Sequence, residues 1–249
     1  MFTVEDIAKV AKKYSVDGYL LRHPLAAKPI SVSELETRCR AFEEWEPRDS
    51  MYRVSTFLVC EWWGDSANLV AALSVLLLIW NGAFYRYGVF SEDALESCLK
   101  ENEGMLNEFR AREISSFCEA DETNTRKLFL LLSQALKRTV DGVESPVSAG
   151  KALHLLAPHF FPLWDQYIAP AYGCPYSGED ASVAYVVFTR KIRALAVQLN
   201  TELSRNEDVR RSWLSKKTLL KRIDEFNYME FTVAAMEEKK ARNKVKAKD

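Results

Sequence analysis

Apolar positions recur along this chain mostly at helical spacing, and the strict alternation that marks a half-buried strand is scarce. A first helix is expected from Thr3, with Ile7, Val10 and Ala11 on one face, followed by a connector over 16–30 that holds Gly18, Pro24 and Pro29. Ser33 begins a second helix, through Leu35 and Phe42, until Glu46-Pro47-Arg48-Asp49 breaks it, because proline removes a backbone donor and crowds the preceding turn. Asp65 or Ser66 caps a long apolar helix running towards Tyr87-Gly88, Ser91 caps a helix over Ala94-Leu95, and Asp121 or Thr123 caps one carrying Leu128-Phe129 and Leu131-Leu132. A short helix over 151–156 is stopped by Pro158, and Asp165 begins the next, which ends near Gly173. A long amphipathic helix is expected over 181–203, and the last helices hold Leu219-Leu220 and residues 226–236, before a charged, frayed tail from Glu237. The pattern predicts an all-α fold, two-lobed, with the long apolar helix in the middle. It reads as one globular unit with an N-terminal helical part over 1–64, a core over 65–236 and a charged tail over 237–249.

Composition narrows the class. At 48% hydrophobic residues the chain of 249 is long enough to bury a sizeable core. Nine glycines and eight prolines are too few for a disordered or fibrous protein. The net charge of −1 hides an uneven distribution: 10 acids against 3 bases over 91–123, and 13 bases against 8 acids over 204–249. A basic C-terminal face beside an acidic patch is able to track a phosphate backbone, and it is equally an ordinary solvated surface. The five cysteines are widely spaced without a CxxC pair, which indicates neither a zinc nor an iron–sulfur site and fits reduced thiols in the cytoplasm. The opening MFTVEDIAKVAKKYS is charged throughout, unlike a signal peptide. Residues 66–85 lack formal charge, but Asn68, Ser74, Asn81 and Gly82 favour a buried helix over a membrane span. No Gly-rich phosphate loop, HExxH or GxSxG occurs, and the histidines His23, His154 and His159 are too scattered for a metal site.

One stretch carries chemistry, SPVSAGKALHLLAPHFFPLWDQYIAPAYG over 145–173. It places Lys151 at one expected helix start and Asp165, after Phe161-Pro162-Leu163-Trp164, at the next. A carboxylate stabilises the cation-like sugar formed when an N-glycosidic bond breaks, or activates a water. A desolvated lysine can attack the same carbon as an amine and form a Schiff base.

The stretch resembles the hairpin-plus-aspartate segment of the helix-hairpin-helix DNA glycosylases. Lys151 in Ala149-Gly150-Lys151-Ala152 matches the nucleophilic lysine of bifunctional members, and Asp165 matches the aspartate that follows a short proline-containing turn. The sequence departs from the family at Val147 and Ala149, where the hairpin glycines would fall, and at Pro162, which lies one residue further from the aspartate than usual. A second resemblance lies in LLLIWNGAFYR, where Asn81 matches the polar residue that these enzymes push into the DNA stack. The family order, wedge first and aspartate later, is kept.

The resemblance implies a glycosylase that flips a modified or damaged base out of double-stranded DNA and leaves an abasic site. It implies Asp165 and Lys151 as catalytic residues, Asn81, Tyr85, Arg86, Lys216, Lys217 and Lys221 as DNA contacts, and Trp164, His154 and Tyr167 around the base. It implies no cofactor and no metal, and a cytoplasmic monomer without membrane contact. The degenerate hairpin tilts the expectation towards a specialised enzyme, such as a phage-defence glycosylase acting on modified viral DNA. Each residue also has a plainer reading. Asp165 is a favoured helix cap, Lys151 a surface side chain, Trp164, Tyr167 and His154 core, Asn81 a structural hydrogen-bonder, and the lysines a solvated face. Two other functions stay open: a non-catalytic nucleic-acid-binding module on the same scaffold, and a helical interaction protein.

Overall fold

The computed structural model describes residue 16 and residues 29–46, 49–175, 181–205, 207–215 and 217–246. The helix expected from Thr3, most of the connector after it, and Lys216 lie outside the described residues. Helix makes up 75% of the structure and no strand occurs among the described residues, so the fold is all-α. In chain order the helices are α1 (Val32–Trp45), α2 (Asp49–Glu61), α3 (Ser66–Trp80), the single turn α4 (Gly82–Tyr85), α5 (Glu92–Glu101), α6 (Glu103–Arg110) and α7 (Glu122–Ala135). They continue with α8 (Pro146–Leu156), the short α9 (Ile168–Ala171), α10 (Ala181–Leu203), α11 (Glu207–Leu214) and α12 (Leu219–Asn227). A π-helix (Tyr228–Val233) joins α12 to α13 (Ala234–Lys246).

Local signals account for most boundaries. Asp65 and Ser91 accept the backbone N–H of Asn68 and Ala94 and start α3 and α5, and Thr218 does the same for Lys221 at the start of α12. Ser31 and Glu34 form a reciprocal capping box, which starts α1 slightly before the expected Ser33. α3 stops at Trp80, short of Tyr87, because Asn81 leaves helical geometry at φ −109° and ψ 25°. Among the described residues no helix is long and apolar enough to cross a membrane.

Two expectations change. α8 begins at Pro146 rather than at Lys151: the Ser145 hydroxyl accepts the Ser148 N–H at 3.1 Å, and Pro146 takes the first helical position, where its missing N–H costs nothing. Lys151 therefore sits in the second turn, and Val147 and Ala149 are helical rather than part of a hairpin. The tail expected to fray from Glu237 continues as α13 to Lys246.

The core is one cluster that runs from α1 to α12. α10 is amphipathic only in its second half, since every residue from 181 to 189 is buried. It packs on α7, while α8 lies against α7, α3 and α2, and α12 lies against α1. Phe129 stacks on Tyr185 at 4.9 Å, and the Trp164 ring meets Tyr185 edge-on at 5.1 Å. This aromatic packing fixes the segment that carries Asp165 against α8 and α10.

Candidate active site

A cavity of about 870 Å³ opens between the C-terminal end of α3, the N-terminal half of α8, the segment 163–167, α12, the π-helix and α13. That volume falls in the ~300–1,000 Å³ range of small-molecule clefts. Its walls include Trp80, Phe84, Trp164, Tyr167 and Tyr228, and Lys239, Lys240 and Asn243 of α13 stand along it. Asn81, Lys151 and Asp165, far apart in sequence, all line it.

Lys151 is buried, and its Nζ donates to Asn81 Oδ1 at 2.6 Å. Lysine is donor-only, so the amide oxygen of Asn81 must face it. Asn81 Nδ2 then donates to Ser148 Oγ at 2.7 Å, and Ser148 Oγ donates to Ser145 Oγ at 2.7 Å. The chain ties the lysine to the cap of its own helix. Lys151 Nζ also lies 5.5 Å from the Trp80 ring centroid, a cation–π distance. Asn81 is consequently not a projecting wedge in this conformation: it is buried, with both ends of its amide engaged.

Asp165 is half-buried and accepts three hydrogen bonds. Oδ1 takes the backbone N–H of Tyr167 and of Ile168, each at 2.8 Å, and Oδ2 takes the Thr232 hydroxyl at 2.8 Å. It thus caps the turn into α9, and Thr232 reaches it from the π-helix. A carboxylate offers about four acceptor sites, so one remains for a reacting group. The neighbouring Trp164 donates from Nε1 to the Pro146 carbonyl at 3.3 Å. Its indole packs on Gly150, where an added Cβ would come within 2.7 Å of Cδ1.

Lys221 of α12, and Lys217 just before it, face inwards, which corrects their reading as a DNA-contacting surface. Lys221 is fully buried and meets Asp49 at 3.3 Å, Asp224 at 3.2 Å and Glu225 at 3.9 Å. Its ammonium lies over the rings of Phe42, Tyr52 and Trp80 at 4.5, 4.9 and 5.0 Å. Burial pulls its pKa down, but Asp224, Glu225 and Asp49 together outweigh burial and the net shift is upward. Lys217 is held by Glu225 at 2.6 Å and Asp49 at 3.2 Å. The helical spacing of these basic residues is the same whether their face meets solvent or other charges, so periodicity does not separate the two.

Two more assignments are corrected. His154 does not border the cavity: it is fully buried, and burial lowers its pKa to about 3, with the Phe161 carbonyl opposing. A carbonyl only accepts, so the neutral ring carries its proton on Nδ1, donates to Phe161 O at 2.8 Å, and takes the Tyr52 hydroxyl on Nε2 at 2.9 Å. Tyr85 is also buried, donating to the Leu136 carbonyl at 2.9 Å, and burial raises its pKa to about 12. Arg86 is exposed at the end of α4. Sequence reasoning missed Trp80, Asp224, Thr232, Lys239 and Lys240 at the cavity. The Lys221–Asp224 and Lys221–Glu225 spacings are visible ion-pair signals, whereas the π-helix that delivers Thr232 has no local signature.

Comparison of the chain with protein-family models, with curated proteins and with solved structures found no match to any of them.

Proposed function

We propose that the chain is a DNA glycosylase, which flips a modified or damaged base from double-stranded DNA and hydrolyses its N-glycosidic bond. The observation that carries the reading is the convergence of Lys151, Asp165 and Asn81 on one aromatic-walled cavity. Aromatic walls suit a planar base, and a carboxylate with one acceptor site left suits the cation that develops at C1′. Lys151 serves as an amine close to the reacting sugar or as an electrostatic aid, with Asn81 holding it. The cation run Lys239, Lys240 and the exposed Arg86 are suited to phosphate contact. A two-lobed, glycosylase-like arrangement belongs to the same proposal. The replacement of the hairpin by continuous helix in α8 favours a specialised substrate, such as a phage-modified base.

The test is a panel of unmodified, oxidised and phage-modified genomic DNAs scored for abasic sites. Base release from at least one DNA, lost in Asp165→Asn, is expected. An Asp165→Asn protein as active as wild type would sink the role of the carboxylate. Tight, salt-sensitive binding without base release from any DNA would leave a non-catalytic nucleic-acid-binding module instead.

A further inference from the structure

Extruding a base from a duplex leaves a vacancy between two base faces, and protein that covers those faces lowers the cost of the extrusion. Asn81 does not reach such a vacancy, because Lys151 and Ser148 hold its amide inside the protein. The side chains that do project beside the cavity are apolar. Of the ten large apolar side chains exposed among the described residues, Tyr87, Val89, Val140 and Val143 fall on two neighbouring loops. Tyr87 and Val140 are the two most exposed of the ten, at 70% and 67%. One exposed valine needs no explanation, but four apolar side chains gathered on one edge form a patch that marks a contact surface.

That edge continues the cavity wall. α4 supplies Ala83 and Phe84 to the wall and runs directly into the first loop, and the second loop leads directly into Glu144 and Ser145, which line the same cavity. The two loops are locked together. The Thr139 backbone N–H and hydroxyl donate to the Val89 carbonyl at 2.9 and 3.0 Å, and the Arg138 guanidinium donates to the Phe84 carbonyl at 3.1 Å. Gly88 lets them close, since a Cβ there would lie 2.5 Å from Val140 Cγ2. Val140 therefore backs the loop that carries Tyr87. Of the acids on this edge, Asp141 is held by Arg138 at 3.0 Å and Glu144 takes the Gln134 amide, while Arg86 stands exposed next to Tyr87.

We propose that Tyr87, backed by Val140, enters the DNA stack at the position the extruded base has left, with Arg86 on the adjoining phosphate. The inference rests on the glycosylase reading and adds to it where the duplex lies: across this edge, with the extruded base in the cavity. Every base has a π-face, so a phenol ring stacks on any neighbour and the choice of base stays with the cavity. The locked loops present the ring already ordered, so its insertion costs little conformational entropy.

The experiment compares two duplexes that carry the same modified base. In one the base is paired. In the other the opposite strand is one nucleotide shorter, so the base is bulged and its departure leaves no vacancy. In the full-length Tyr87→Ala protein, single-turnover release from the paired duplex is expected to fall by about 5–150-fold, the worth of one base–aromatic stack, with release from the bulge close to wild type. That retained activity also reports a folded protein. Tyr87→Phe, which keeps the ring, is expected to match wild type on both duplexes. Equal losses of Tyr87→Ala on the two duplexes, or no loss on either, would overturn the inference. If wild type does not act on the bulge, 2-aminopurine beside the modified base in complexes of Asp165→Asn decides. A stacked Tyr87 quenches it and Tyr87→Ala brightens it, whereas equal fluorescence overturns the assignment. No release of any base by wild type overturns the parent reading and this inference with it.

Discussion

Substituting Gly150 by alanine sets two physical effects against each other. In the interior of a helix such a change removes backbone entropy from the unfolded chain and gains about 1 kcal/mol. At this position the new methyl would lie 2.7 Å from Trp164 Cδ1, 2.8 Å from Nε1 and 3.3 Å from Tyr185 Cε2. The indole has little room to yield, since Phe129, Tyr185 and Phe188 surround it with ring centroids 5.8, 5.1 and 5.9 Å away. Overpacking costs about 1–3 kcal/mol, and boxed aromatic neighbours place this case in the upper half of that range, leaving a net loss of about 1–2 kcal/mol. For a chain of this size that lowers the melting temperature by about 2–8 °C. Thermal unfolding followed by circular dichroism is the assay, with Gly104→Ala as the reference, because nothing lies within 4 Å of a Cβ at Gly104. A Gly150→Ala protein that melts at or above the wild-type temperature would refute the close approach of Trp164 to α8. Under the proposed function the same variant also shifts Asp165, the next residue after Trp164, and base release falls more than stability does.

Titratable and charged groups supply the remaining tests. His154 is depressed to about 3 in the folded state against about 6.5 when unfolded. The unfolded chain therefore binds more protons across that interval, so this histidine's contribution is complete above pH ~6.5 and is lost as the pH falls towards ~3. Denaturant unfolding at a series of pH values checks it: a stability that stays flat between those limits in wild type contradicts the buried, neutral ring. For DNA binding, Lys239→Ala with Lys240→Ala is expected to reduce the slope of log affinity against log salt by about 1 for each phosphate no longer neutralised. Lys221→Met should instead cost stability, about 3–5 kcal/mol for breaking a buried ion pair, and leave the slope unchanged. A slope that follows Lys221 and ignores α13 would reverse the orientation of α12.

Much of the helical scaffold is legible because its signals are local. Asp65 and Ser91 announce α3 and α5 through single side-chain caps, and the Ser-Pro pair at 145–146 marks the start of α8, although the apolar run that follows it is the stronger periodic signal. The convergence of Asn81, Lys151 and Asp165 on one cavity is foreshadowed only by the family resemblance, since it depends on how α3, α8 and the 163–167 segment pack. Orientation is the part that pattern does not carry. The spacing of Lys217 and Lys221 describes a shared face but not what that face meets, and here it meets Asp49, Asp224 and Glu225. The amide of Asn81 is turned inwards by Lys151 and Ser148, two partners from another helix.

The π-helix at Tyr228–Val233 has a consequence beyond the contact of Thr232 with Asp165. Such a turn accommodates one residue more than an α-turn, so the extra residue is taken up within it and α13 keeps the phase of an uninterrupted helix. Deleting one residue within 228–233 would restore the ordinary winding, leave Lys239, Lys240 and Asn243 along the cavity, and re-aim only the side chains of the turn itself, Thr232 among them. A single codon thus separates a braced carboxylate from an unbraced one on the same scaffold, with the basic lip of the cavity unchanged.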